Sequence, residues 1–197
     1  MPRPPDPGLE GRILNAAHKL WKKEGAKALT MRAVARAADT NTPAVYRRFH
    51  DRRAIVRALV RRSQQELGAI LQPCRSVEEA VAVYLKYALS HPHEYELFYQ
   101  HLHELSGPAR PGRAPSFEEL RPNFALMERK MAEQLGGEPE DHRRLVLVVA
   151  ALAHGTATYL ISKAVPPGQE AAMRSAFTAA VGAMLRDTFR SSLRKSK

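Results

Sequence analysis

The stretch that most constrains this chain is Leu29–Arg53, LTMRAVARAADTNTPAVYRRFHDRR. Apolar residues recur in it at helical spacing, first Met31, Val34 and Ala35, then Val45, Tyr46 and Phe49. The pattern breaks between them at Asp39-Thr40. Thr30 and Asn41 each stand where a capping oxygen is needed, and Pro43 suits a first helical turn. The spacing predicts helices over about 30–38 and 42–49, with another opening after Asp51. Two short helices meeting at a tight polar turn make a helix-turn-helix, whose second helix fits a major groove.

Charge points the same way. Residues 1–65 hold 15 Lys and Arg against 5 Asp and Glu, a local +10 within a chain of formal net charge +11. Such a surface attracts nucleic acid or anionic membrane. Arg52 and Arg53 add two cations at a helix N-terminus, where they oppose the macrodipole, so local stability does not explain them. A phosphate across that terminus would. On the second helix Thr42, Pro43, Ala44 and Arg47 are assigned to the groove, with Val45 and Phe49 packed inward. Arg47 suits a bidentate contact to guanine, and the Thr42 methyl or Ala44 a thymine methyl. Thr30, Arg32, Tyr46, His50, Arg52 and Arg53 are assigned to phosphates, and Arg48 to either role. Tyr46 has a bland alternative as a half-buried core aromatic.

The run Ile13, Ala17, Leu20-Trp21, Gly25, Thr30, Val34-Ala35, Ala38, Val45-Tyr46, Phe49 and Ile55 resembles the N-terminal DNA-binding domain of the TetR family of transcriptional regulators. The resemblance covers roughly residues 10–57. Asp39 stands where the family usually has glycine, and Thr40-Asn41 replace the usual Val-Ser. Aspartate tolerates the left-handed region, so the turn is expected to form with some strain. The resemblance implies a bacterial, cytoplasmic regulator, a homodimer on a palindromic double-stranded operator, and repression relieved by a small ligand. It also implies phosphate contacts from Thr30, Tyr46 and Arg52. An activator, or a DNA-binding dimer with no effector, is the alternative.

The rest of the chain reads as all-α: a three-helix head over 9–50 and a helical body over 51–197, about nine helices in all. Helix 1 is expected over 9–24, with Ile13, Ala16, Ala17 and Leu20 inward, Trp21 in the core and Gly25 as its stop. A connector helix follows over about 51–71. Ser76 and Glu79 make a capping box for a helix carrying Val77, Ala80, Val81, Tyr84, Leu85 and Ala88. A sixth helix is expected over about 94–105, a break at 107–115, and a second capping box at Ser116 and Glu119. Residues 141–165 are apolar nearly all round and predict a buried helix, polar-flanked and interrupted, with no run of 18 apolar residues to span a bilayer. A small-residue helix follows over 170–193.

These last two helices carry more apolar surface than a body of this size needs. A homodimeric four-helix bundle would use it, through Leu152, Gly155, Tyr159, Ala176, Ala179, Ala180 and Ala183. Tyr84, Tyr95, Phe98, Phe124, Met127, His154 and Tyr159 are the expected lining of a pocket for a small hydrophobic or amphipathic ligand, or else simply fill the core. His154 is either a satisfied core or interface residue or the polar anchor of that pocket.

Other classes find little support. No G-x-S-x-G, phosphate loop or paired-carboxylate pattern suggests an enzyme, and no cofactor is implied. His91, His93, His101 and His103 cluster in sequence, but Pro92 splits them and i, i+2 partners share no helix face, so no metal site is expected. The single Cys74 excludes an intrachain disulfide and is read as incidental rather than redox-sensing. The start, MPRPPDPGLEGR, has no apolar core and is not read as a secretory signal; a minor-groove role for its Arg3 stays open.

Overall fold

A computed structural model describes residues 8–101 and 121–195, with side chains through 190. The expectations for Arg3, His103, the break at 107–115 and the capping box at Ser116 and Glu119 lie outside the described residues. Every described element is helical. The α-helices are α1 (Leu9–Glu24), α2 (Met31–Ala37), α3 (Thr42–Arg48), α4 (Arg52–Leu71), α5 (Val77–Ser90), α6 (Pro92–His101), α7 (Pro122–Leu135), α8 (Arg143–Ile161) and α9 (Glu170–Lys195). Short 3₁₀ turns occupy Ala26–Ala28 and Pro139–His142. The described residues divide into two compact units. One holds the chain up to Gln65 together with α6; the other holds Glu66–Ser90 and everything from α7 onward.

In the first unit α1 buries Ile13, Ala16, Ala17 and Trp21, and Leu20 is only half-buried. The indole is wholly enclosed, as a lone Trp in a small core should be. The helix stops at Gly25, whose φ of +70° lets its N–H return to the Trp21 carbonyl at 2.7 Å. Leu29, Val34, Val45, Phe49, Ile55 and Leu59 join the same core. So do Leu97 and Phe98 of α6, a helix that returns to α1 from outside the helix-turn-helix sequence. Two polar ties accompany that packing. Trp21 Nε1–H donates to the His93 carbonyl at 2.8 Å, and the buried Glu94 carboxylate lies 3.2 Å from Lys22 Nζ and 3.8 Å from His18 Nε2.

In the second unit α8 packs against α5, α7 and α9. Ser76 caps α5 through the Glu79 N–H at 3.1 Å, and the Glu79 carboxylate reaches back to the Arg75 N–H at 2.7 Å. The expected capping box is thus shifted by one residue on its return arm. Two charged side chains are buried with partners. Lys130 Nζ donates to the carbonyls of Gln72 (3.0 Å) and Cys74 (2.6 Å), just past the end of α4. Glu128 accepts from Arg143 Nε at 2.8 Å, a contact that raises the pKa of the guanidinium further.

Helix α8 departs from the expectation of burial all round. Val146, Val149, Ala153, Thr156 and Ala157 face inward, while Leu147, Val148 and Tyr159 are 46%, 52% and 54% exposed. Together with the turn before it, Pro139–Ile161 is long and apolar enough to cross a membrane by length and composition alone. The apolar run is not unbroken, because His154, Thr156 and Thr158 interrupt it. Packing against three neighbouring helices makes α8 a central helix of its unit.

Candidate nucleic-acid interface

The site is built from α2, the turn after it and α3. Thr30 Oγ1 accepts from the Ala33 N–H at 3.1 Å, and Asn41 Oδ1 from the Ala44 N–H at 2.9 Å. Both caps fall where the sequence placed them. Between them Asp39 adopts φ +50°, the left-handed conformation its glycine-like position demands. The Thr40 N–H then closes onto the Ala35 carbonyl at 3.0 Å. Val34, Ala35 and Ala38 on one side meet Val45 and Phe49 on the other, which fixes how α3 sits on α2.

That packing decides what α3 offers outward. Pro43, Tyr46, Arg47 and Arg48 are exposed and Thr42 is half-buried. Tyr46, at 52% exposure, is not the core aromatic of the alternative reading. Ala44, also assigned to the groove, is only 4% exposed. On a helix of seven residues the inward face takes Ala44, Val45 and the following Phe49, leaving Thr42, Pro43, Tyr46 and Arg47 as the outward edge.

Of the residues assigned to phosphates, Thr30, Arg32, His50 and Arg53 are exposed beside that edge. Arg52 is placed differently. Its Nε donates to the Leu29 carbonyl at 2.8 Å and its Nη2 to the Ala26 carbonyl at 3.0 Å, so the guanidinium is turned into the head. Sequence reasoning gave no signal of this, because the acceptors are backbone atoms more than twenty residues away.

The residues expected to line a ligand pocket fall in both units. Tyr95 and Phe98 are buried in the first unit, Tyr95 with its ring 4.8 Å from that of Tyr99. Tyr159 points outward. In the second unit Tyr84 and Met127 pack on Leu67, Leu71, Cys74, Ala80 and Leu126, while Phe124 and His154 are half-buried. Burial pushes the His154 imidazole below its ordinary pKa. Among the expected interface residues Tyr159, Ala176, Ala179 and Ala183 are exposed, and Leu152, Gly155 and Ala180 partly so. Among the described residues no group of three or more His, Cys, Asp or Glu could hold a metal ion. Cys74 is buried, which pushes its thiol pKa up.

Comparison with known proteins agrees with this layout. The model of the bacterial regulatory proteins of the tetR family matches residues 13–59, and that of the tetracyclin repressor-like C-terminal domain matches residues 77–184. A protein of unknown function from Rhodococcus sp. RHA1 has the same fold, with TM-score 0.68, 24% identity, and 95% of this chain and 98% of that chain covered. TetR from Acinetobacter baumannii AYE superimposes with TM-score 0.62 at 18% identity, covering 91% and 96%. A variant of it was solved in complex with minocycline. The multidrug binding protein EbrR, complexed with imidazole, gives TM-score 0.59 at 22% identity and 93% coverage of both chains. No curated protein matches the sequence.

Proposed function

Since the chain belongs to the TetR family of bacterial regulatory proteins, and is therefore a DNA-binding transcription regulator rather than an enzyme, we propose that it is a cytoplasmic repressor that binds a palindromic operator as a homodimer. The observation that carries this reading is the outward edge of α3. Pro43, Tyr46 and Arg47 are exposed on a capped helix within a stretch, residues 1–65, of net charge +10. In this reading Thr42, Pro43 and Arg47 read bases, with Arg47 paired to a guanine, while Thr30, Arg32, Tyr46, His50 and Arg53 hold phosphates and Arg48 serves either. The exposed side of α8 and the alanine face of α9 pair with those of a second copy. A small hydrophobic or amphipathic ligand in the second unit, near Tyr84, Met127 and His154, shifts the separation of the two heads and releases the operator. Two proteins of the same fold are known with small molecules bound, which supports a ligand of that kind.

The test begins with an operator selected from random duplexes by the purified protein. Arg47→Ala is expected to cost about 1–3 kcal/mol on that duplex and much less on random DNA. A wild-type protein that binds all duplexes alike, losing affinity only with salt, would refute the reading. A regulator with no effector is the second reading, favoured by the outward position of Tyr159 and the placement of Tyr95 and Phe98 in the head core. Operator affinity unmoved by a broad panel of hydrophobic ligands decides for it.

A further inference from the structure

Arg52 opens α4, where the Asp51 carboxylate already caps the Ala54 N–H at 2.7 Å. A cation there works against the helix dipole, so its placement needs another cause. The two carbonyls it meets supply one. Ala26 begins the 3₁₀ turn that links α1 to α2, and Leu29, buried to 1% exposure, is the last residue before the Thr30 cap. The guanidinium fork spans both carbonyls at 2.8 and 3.0 Å and fixes the turn's outer backbone, while the Leu29 side chain fixes its inner side.

We propose that Arg52 is a positioning residue: it holds the Ala26–Leu29 turn and thereby sets Thr30 and the start of α2 for the DNA backbone, instead of binding a phosphate itself. Arg53, exposed at the next position, carries the phosphate contact of this terminus. The inference rests on the DNA-binding reading above for its consequence, though not for its geometry. A lysine at position 52 keeps the charge but offers one ammonium where the fork reaches two carbonyls, so charge and brace are separable.

Two measurements test this on the full-length protein. Without DNA, amide hydrogen exchange at Ala33, whose N–H rests on Thr30 Oγ1, should quicken about tenfold in Arg52→Lys and Arg52→Ala and stay unchanged in Arg53→Ala. With the selected operator, Arg52→Ala should lose about tenfold in affinity with its salt slope kept, and Arg52→Lys should not restore binding. Arg53→Ala should lower the slope by about one. Arg52→Ala combined with Thr30→Ala should fall short of the product of the single losses. Unchanged Ala33 exchange in Arg52→Lys overturns the proposal, and so does a slope lowered by about one in Arg52→Ala. If the alanine variant does not fold, the lysine variant carries both measurements. Absence of any operator preference in the wild type would sink the regulator reading while leaving the exchange result to decide the brace.

Discussion

Trp21 and His93 hold one another through opposite kinds of atom. The indole Nε1–H donates to the His93 carbonyl at 2.8 Å, while the His93 ring Nδ1 lies 2.7 Å from the carbonyl of Lys22, the residue after Trp21. With its proton on Nδ1 the imidazole donates to one of the carbonyls that the end of α1 leaves without a helical partner. Helix α6 is therefore fastened to α1 by backbone acceptors on both sides, with the Trp21 and His101 rings edge-to-face at 5.6 Å beside them.

Trp21→Phe should remove the donor, keep most of the ring, and leave the His93 carbonyl with its helical partner alone. The expected loss is about 0.5–1.5 kcal/mol of unfolding free energy in urea. Amide exchange in α6 should quicken more than in α3, and equal quickening in both would count against a fastening role.

Gly68 sits inside α4, and a Cβ built there would lie 2.9 Å from Asn123 Oδ1. Alanine in a helix interior is worth about 1 kcal/mol over glycine, and here that gain meets a close contact. Gly68→Ala is expected to be nearly neutral by thermal unfolding. In an Asn123→Ala background the same change should stabilise by about 0.5–1 kcal/mol. Equal effects in both backgrounds would show that Asn123 does not limit the approach.

For the proposed homodimer, Ala179→Glu or Ala183→Glu would place a charge on the exposed face of α9. Sedimentation should show a monomer, and operator binding should weaken because one head alone makes half the contacts. A wild-type chain sedimenting as a monomer at micromolar concentration removes the basis for this prediction.

His154 gives a signed pH dependence. Burial lowers its folded pKa, so the unfolded chain binds that proton more tightly. Its contribution to stability is present in full above about pH 6.5 and is lost as pH falls through the imidazole range to the lowered folded value. The drop in thermal midpoint between about pH 7.5 and about pH 5.5 should shrink in His154→Gln. An undiminished drop would assign it to other groups.

What the sequence disclosed was local. The caps at Thr30 and Asn41, the stop at Gly25 and the inward pair Val45 and Phe49 follow from spacing and residue chemistry within a few positions. The burial of Ala44 was not legible because periodicity is ambiguous over two helical turns. The carbonyl partners of Arg52 were not legible because helix-end electrostatics names a cation as unexplained without saying which distant carbonyl meets it. The packing of α6 on α1 and the burial of Glu94 and Lys130 depend on contacts across dozens of residues, where sequence spacing carries no signal.

Cys74 has a use its burial conceals. It is the chain's single cysteine, its thiol pKa is raised by burial, and its carbonyl is held by Lys130 at 2.6 Å. A thiol reagent should therefore reach it only when the α4–α5 junction opens, so modification at fixed reagent and pH serves as a built-in clock for that opening. The molecule carries its own reporter at the end of α4, with no label to introduce and no second thiol to blur the signal.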